Sequence, residues 1–186
     1  YVRGRERSRD PKLILNEINA LDSGRFKEIT LLGQNVNSYR YQSIDFPDLL
    51  EMIQNETSIE RVRFMTSHPK DLSDKLIDSF SRLSSLCRHI HLPLQSGSDQ
   101  ILISMNRGYT RDHFIDRVER IRKQIPGVSL STDVIVGYPG ETDQDFQQTL
   151  DLLSRMECED AYMYKYSPRE GTRSAGLSES LSEEDK

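Results

Sequence analysis

Short apolar runs alternate with amphipathic stretches along most of the chain. Asp10-Pro11 offers a cap and a helix-compatible proline, and Leu13, Ile14, Ile18 and Leu21 recur at helical spacing, with Gly24 as the stop. EITLLG then reads as a buried strand. Pro47 opens a helix carrying Leu49, Leu50 and Ile53, and RVRFMT is the next strand. Leu72, Leu76, Ile77 and Phe80 mark a third helix, and HIHLPL a third strand. SDQILISM gives a short helix. TRDHFIDRVERIRKQ gives a longer one, capped by Thr110 and ended by Pro126-Gly127. VSLSTDVIVG is a strand, ETDQDFQQTLDLLSRM a helix with Phe146, Leu150 and Leu153 on one face, and DAYMYKYS the last strand.

Strands and helices in alternation predict parallel strands with helical crossovers, an α/β class. An open doubly wound sheet and a segment of barrel both satisfy this pattern. At 186 residues the chain is long enough for one domain with its own core. We expect that domain over residues 1–173, followed by a polar tail over 174–186.

In parallel α/β folds, ligands sit at the carboxyl ends of the strands. Those positions hold GQNVNSY, TSHP, QSGSD, GYPGET and YSPREGT. Each alone can be a turn or a cap. Together, glycines and polar side chains after nearly every strand favour a small-molecule pocket on one rim. No Ser-His-Asp order, no GxxxxGK[ST] loop and no HExxH is present, so hydrolase and nucleoside-triphosphatase readings are unsupported.

Composition refines this reading. Apolar residues are 35% and charged residues 30%, as in a soluble globular domain, and no apolar run reaches the ~20 residues of a membrane span. The net charge of -5 excludes a uniformly basic surface, yet Arg3, Arg5, Arg7 and Arg9 crowd the first nine residues. Cys87 and Cys158 lack a ligand neighbour at CxxC or CxxxC spacing. Two thiols and no secretion signal point to a reducing, cytoplasmic setting. His89 and His91 alternate on one strand and so face the same side, without evident partner ligands. The chain opens on Tyr1 rather than methionine and reads as cut from a longer protein.

YVRGRERSR, LLGQNVNSY, HLPLQSGSD, MNRGYTR and STDVIVGYPGET, in this order and spacing, resemble the radical-SAM tRNA methylthiotransferases from Tyr1 to about Arg173. GQNVNSY favours the branch acting on isopentenylated adenosine beside the anticodon. Relatives acting on a ribosomal protein or on threonylcarbamoyl-adenosine are the neighbouring alternatives. A stand-alone S-adenosylmethionine or RNA-binding module without redox chemistry is the alternative from another class.

The resemblance implies a partial (βα)6 radical-SAM barrel whose first strand and CxxxCxxC cluster loop are missing. It implies S-adenosyl-L-methionine and two 4Fe-4S clusters in the full-length enzyme, with tRNA and sulfur and electron donors as partners, and no membrane. The cofactor, cleaved at the reduced cluster, yields a radical that takes hydrogen from C2 of adenine. Sulfur from the second cluster and a methyl group from another S-adenosylmethionine follow. The segment alone is expected to be inactive, with neither cysteine replacing a three-cysteine loop. An exposed sheet edge is expected to favour a dimer of the fragment.

By the same resemblance, Gln34 and Asn35 hold the cofactor's amino group, and Gln95, Ser96 and Ser98 contact its ribose or carboxylate. Arg107 either pairs with the methionine carboxylate or is a surface arginine. Asp133, Ile135, Gly137 and Glu141 approximate the family's adenine-binding GxIxGxxE, with Asp133 in place of the first glycine and the glutamate one place late. Tyr166 either flanks the adenine or belongs to the core. Arg3, Arg5 and Arg7 are candidates for tRNA backbone contact, and Arg3 or Arg5 alternatively steadies the cluster loop.

Overall fold

The computed structural model describes residues 7–21, 26–65, 68–177 and 182. Helix α1 spans Pro11–Leu21, with Asp10 Oδ1 accepting from Lys12 N; the proposed stop at Gly24 lies outside the described residues. Strand β1 (Glu28–Leu31) follows, then a 3-10 turn over Val36–Ser38 and a minute antiparallel pair, β2 (Arg40–Tyr41) with β3 (Ile44–Asp45). Helix α2 (Phe46–Glu56) starts on a capping box in which Asp45 and Asp48 accept from each other's backbone N–H. Strand β4 (Arg61–Phe64), helix α3 (Asp74–Arg82) and strand β5 (His89–His91) come next. Helices α4 (Asp99–Ser104) and α5 (Arg111–Gln124), strand β6 (Ser129–Val136), helix α6 (Asp143–Met156) and strand β7 (Asp160–Lys165) complete the order.

The principal strands are parallel, as predicted. β1 pairs with β4, β5 with β6, and β6 with β7. Val62 N donates to Ser85 O and Cys87 N to Val62 O, joining β4 to the approach of β5. The strand order is therefore β1-β4-β5-β6-β7. Among the described residues no ladder returns from β7 to β1, so the sheet does not close into a barrel.

The helices cover one face of this sheet from β4 to β6, while every residue of β7 is exposed. Phe64 stands edge-on to Phe46 at 5.1 Å and lies 6.0 Å from Phe80, tying β4 to α2 and α3. Ile90, Leu130 and Val134 of the central strands pack into the same core with Phe114 and Ile121 of α5. Each such fully buried side chain contributes about 1.5–3 kcal/mol.

Two sequence expectations fail for identifiable reasons. EITLLG is not buried: β1 alternates exposed and half-buried residues, and Leu32 is 75% exposed. Among the described residues only one of its edges is paired, so apolar composition alone misleads there. Helix α6 is rotated from its predicted face. Asp145, Thr149, Leu152 and Met156 are buried, whereas Leu150 is 40% exposed.

Two of those inward residues are polar because they hold the loop after β5. Thr149 Oγ1 accepts from Gly97 N at 2.8 Å, and Asp145 Oδ1 accepts from Ser98 Oγ. Burial alone would raise the Asp145 carboxyl, but hydrogen bonds from Ser98 and Thr142 outweigh it and hold it below its ordinary value. Arg111 clamps the junction, donating through Nη1 to Gly97 O and Gln148 O and through Nη2 to Asp151. At Gly97 a Cβ would stand 2.4 Å from Gln148 O and 2.6 Å from Thr149 Cα. Backbone cannot yield as a side-chain tip can. Gly97→Ala is therefore expected to cost about 3 kcal/mol, the upper part of the overpacking range, and to lower the melting midpoint by roughly 6–12 °C. An unchanged midpoint in thermal circular dichroism would contradict this packing.

Candidate functional site

The loops at the carboxyl ends of β1, β4, β5 and β6 gather polar groups, as their sequences suggest. After β1, Asn35 Nδ2 donates to Asp71 Oδ2, while Asn35 Oδ1 is buried without a partner among the described residues. Asn37 fastens the next loop: its Nδ2 donates to His68 O, and its Oδ1 accepts from His68 N. His68 Nδ1 accepts from Lys70 N, so the ring proton sits on Nε2. Burial lowers the His68 pKa against the opposing pull of Asp71, and its ring stands edge-on to Tyr109 at 5.5 Å.

Arg107 lies close enough to His68 and Tyr109 to act on both electrostatically, and its Nε is buried without a partner among the described residues. Tyr109 shares its hydroxyl hydrogen between Pro93 O and Leu94 O. Burial pushes its pKa up to about 12, which keeps that donor protonated.

Gln95 adopts a left-handed backbone, φ 66°. Its N–H donates to Asp133 O and its C=O accepts from Ile135 N, so the β5–β6 pairing resumes there after Pro93. The Ser96 and Ser98 hydroxyls are buried and engaged within the loop and with α6: Ser96 Oγ accepts from Ser98 N and lies 3.4 Å from Thr149 Oγ1. They brace the loop that carries Gln95.

Of the predicted quartet on β6, Asp133 and Ile135 share one face of the sheet. Ile135 packs beside Ile101, Tyr138 and Tyr166, making a small apolar shelf in which the two tyrosine rings meet at 5.2 Å and 73°. Gly137 has φ 75°, and its N–H donates to Glu141 Oε2. Glu141, 4% exposed, closes this turn from within.

A cleft of about 720 Å³ runs between α1 and β1 and brings together Gln34, Asn35 and Arg7 with Ile18, Leu31 and Arg9. Gln95, Arg107 and the β6 quartet lie outside it. Arg3 and Arg5 lie outside the described residues. Sequence reading passed over Asn37, Asp71 and Tyr109, whose partners come from other loops, and TSHP was the visible trace of His68.

Residues 1–153 match the Radical SAM superfamily. The chain belongs to that superfamily. Within it, the chain is 53% identical over 184 residues to the tRNA-2-methylthio-N(6)-dimethylallyladenosine synthase of Desulfitobacterium hafniense (strain Y51), covering 97% of this chain and 41% of that protein. The synthase of the same name from Syntrophomonas wolfei is 50% identical over 189 residues, 100% of this chain and 42% of its own length. The chain thus spans about two-fifths of the length of these curated relatives.

Among solved structures, coproporphyrinogen III oxidase from Escherichia coli, a radical SAM enzyme, superposes with a TM-score of 0.68 at 13% identity, covering 86% of this chain and 36% of that one. Methylornithine synthase gives 0.61 at 14%, covering 95% and 50%. At such identities the likeness is one of fold. Among the described residues no helix is long and apolar enough to cross a membrane.

Glu141 gives this radical SAM rim a pH signature. Burial raises its carboxyl pKa above the ordinary 4.5, against the N–H groups of Gly137 and Tyr138. The folded chain then keeps a proton that the unfolded chain has lost. Its stabilisation is complete below pH 4.5 and is lost as pH rises through the raised value. Glu141→Gln removes this titration while keeping an oxygen acceptor. Urea midpoints of the wild type should therefore fall relative to the variant as pH rises from 4.5, and parallel curves would refute the assignment.

Proposed function

We propose that this chain is the central part of a radical SAM tRNA methylthiotransferase that acts at C2 of N6-dimethylallyladenosine beside the anticodon. Identity of 50–53% across essentially the whole chain to synthases of that product carries this reading.

The rim fits S-adenosylmethionine by the chemistry of its unpaired atoms. Among the described residues Asn35 Oδ1 is an acceptor without a donor, suited to the cofactor's ammonium group. Among the same residues Arg107 Nε is a donor without an acceptor, suited to its carboxylate. Gln34 borders the same cleft as Asn35, and Gln95 presents an amide at the neighbouring strand end. Ile135, with Tyr166 beside it, offers the adenine an apolar shelf, while Gly137 and Glu141 fix the turn that bounds that shelf. S-adenosylmethionine, bound with a reduced 4Fe-4S cluster, supplies the radical chemistry and the methyl group. The described residues offer no group of three metal ligands for a cluster, so this chain's own part is to bind, orient and shield.

Arg7, exposed at the margin of the cleft, is suited to a tRNA phosphate, and Arg3 and Arg5 belong to the same basic strip. The protein works in the cytoplasm with donors of sulfur and electrons. The segment by itself is inactive, and the unpaired outer edge of β1 promotes its dimerisation.

The deciding experiment uses the chain extended to the length of its relatives and reconstituted with iron and sulfide. It should convert N6-dimethylallyladenosine in tRNA to the 2-methylthio form, read by nucleoside mass spectrometry. Modification of ribosomal protein instead would overturn the reading. Arg107→Ala should weaken S-adenosylmethionine binding at least tenfold, given about 1.5–3 kcal/mol for a charged hydrogen bond. Unchanged affinity in calorimetry would remove Arg107 from the site. The 186-residue segment alone should bind no stoichiometric iron and should sediment partly as a dimer at high concentration.

A further inference from the structure

Barrel interiors that serve only as core are filled by Val, Ile and Leu. The face of this sheet turned away from the helices is different. Ile90, Leu130, Thr132 and Val134 are buried on the helix side, and the residues that alternate with them on β5 and β6 are His89, His91, Ser131 and Asp133. On β1 and β4 the corresponding residues include Glu28, Arg61 and Arg63, with Glu28 accepting from both arginines.

The four central groups are linked in series by hydrogen bonds. A carboxylate only accepts, so His91 Nε2 donates to Asp133 Oδ2, at 3.3 Å. His91 Nδ1 lies 3.0 Å from Ser131 Oγ. Ser131 Oγ in turn lies 3.1 Å from His89 Nε2. Burial, with Arg63 and His91, lowers the His89 pKa.

The middle of this chain of bonds is buried, and its two ends, His89 and Asp133, are half-buried. The Ser131 residue is 3% exposed and the His91 side chain 9%, whereas the Asp133 side chain is 25% exposed. Asp133 Oδ1 takes no hydrogen bond from the described residues. Tyr162 stands in register with Asp133 on β7, half exposed, with its ring 6.1 Å from that of His91. The arrangement is a fixed carboxylate oxygen beside an aromatic ring, open to the concave side of the sheet.

Resting on the methylthiotransferase reading, we infer that Asp133 is a specificity-determining residue for the base that is modified. It accepts the N6–H of the N6-alkylated adenine while Tyr162 flanks the ring. The chemistry singles out that atom: an N6-alkyladenine has one N–H donor on its base, and N1, N3 and N7 are acceptors that a carboxylate cannot bind. A flipped-out base is read in this way, by hydrogen bonds to its edge and by aromatic contact. Asp133 thereby belongs to the substrate rather than to the cofactor, one inward-facing position deeper than Ile135. His91 and Ser131 are positioning residues that fix the carboxylate.

The test is equilibrium binding of anticodon stem–loops to the full-length protein with S-adenosylmethionine present. One stem–loop carries N6-dimethylallyladenosine; the other carries the same base with an additional N6-methyl group, which has no N–H. The wild type should bind the second about tenfold or more weakly, the loss of one charged hydrogen bond. Asp133→Ala should bind both equally and weakly, because the added methyl then removes nothing. Asp133→Asn, which keeps the shape and one acceptor oxygen, should show intermediate discrimination and serves where the alanine variant fails to fold. Cofactor affinity should stay within about twofold of wild type in either variant. Wild-type discrimination retained in Asp133→Ala, or absent from the wild type, overturns the inference even where the wild type methylthiolates its tRNA. A wild type that neither binds nor converts the first stem–loop defeats the functional reading along with it.

Discussion

The rim depends on one close contact, that between residues 96–98 and the buried polar stripe of α6. Thr149 and Asp145 take the Gly97 N–H and the Ser98 hydroxyl, and the missing side chain of Gly97 lets two backbones touch. Buried polar groups need partners, so each side of this contact fixes the other. The consequences spread outward. Ser98 precedes α4, whose Ile101 packs against Tyr138 and Tyr166. Gln95, just before the contact, rejoins β6 through both of its backbone groups. Arg111 binds the same junction to α5, so three helices and two strands are set by one short loop.

The sheet divides the work between its faces. Its helix side is apolar and holds the core. Its other side is polar, with ion pairs on β1 and β4 and a linked set of hydrogen bonds on β5 and β6. Substrate and cofactor groups can be oriented on such a surface because the groups lining it already hold one another in place.

Much of this was legible in the sequence where local chemistry is strong. The Thr110 cap and Pro126-Gly127 stop bracket α5 as read, and the strand–helix alternation gave the parallel sheet. Recognition of the family came from five strings, and three of them, LLGQNVNSY, HLPLQSGSD and STDVIVGYPGET, lie at the carboxyl ends of β1, β5 and β6. What failed was non-local. The phase of α6 was misjudged because Asp145 and Thr149 look like solvent-facing residues until Gly97 and Ser98, 47 to 52 positions away, come to meet them. The apolar run of β1 overstated its burial, since accessibility there is decided by its neighbours. That the Ser96 and Ser98 hydroxyls turn toward α6 and their own loop was not legible, because a hydroxyl in a Gly-rich loop carries no mark of which way it turns. His89 and His91 were seen to share a face, but Ser131 and Asp133, their partners, lie about 40 residues on.

Gln95 sets a limit on how this loop can vary. A non-glycine residue in the left-handed region costs roughly 1–2 kcal/mol. Glycine would relieve that cost but leave no side chain at the rim. Asparagine tolerates the backbone but is one methylene shorter. Valine, isoleucine and threonine are barred by their branched Cβ. A position with so few acceptable substitutes acts as a ratchet: once the loop has closed on a long amide, most single steps away lose either the backbone geometry or the long side chain.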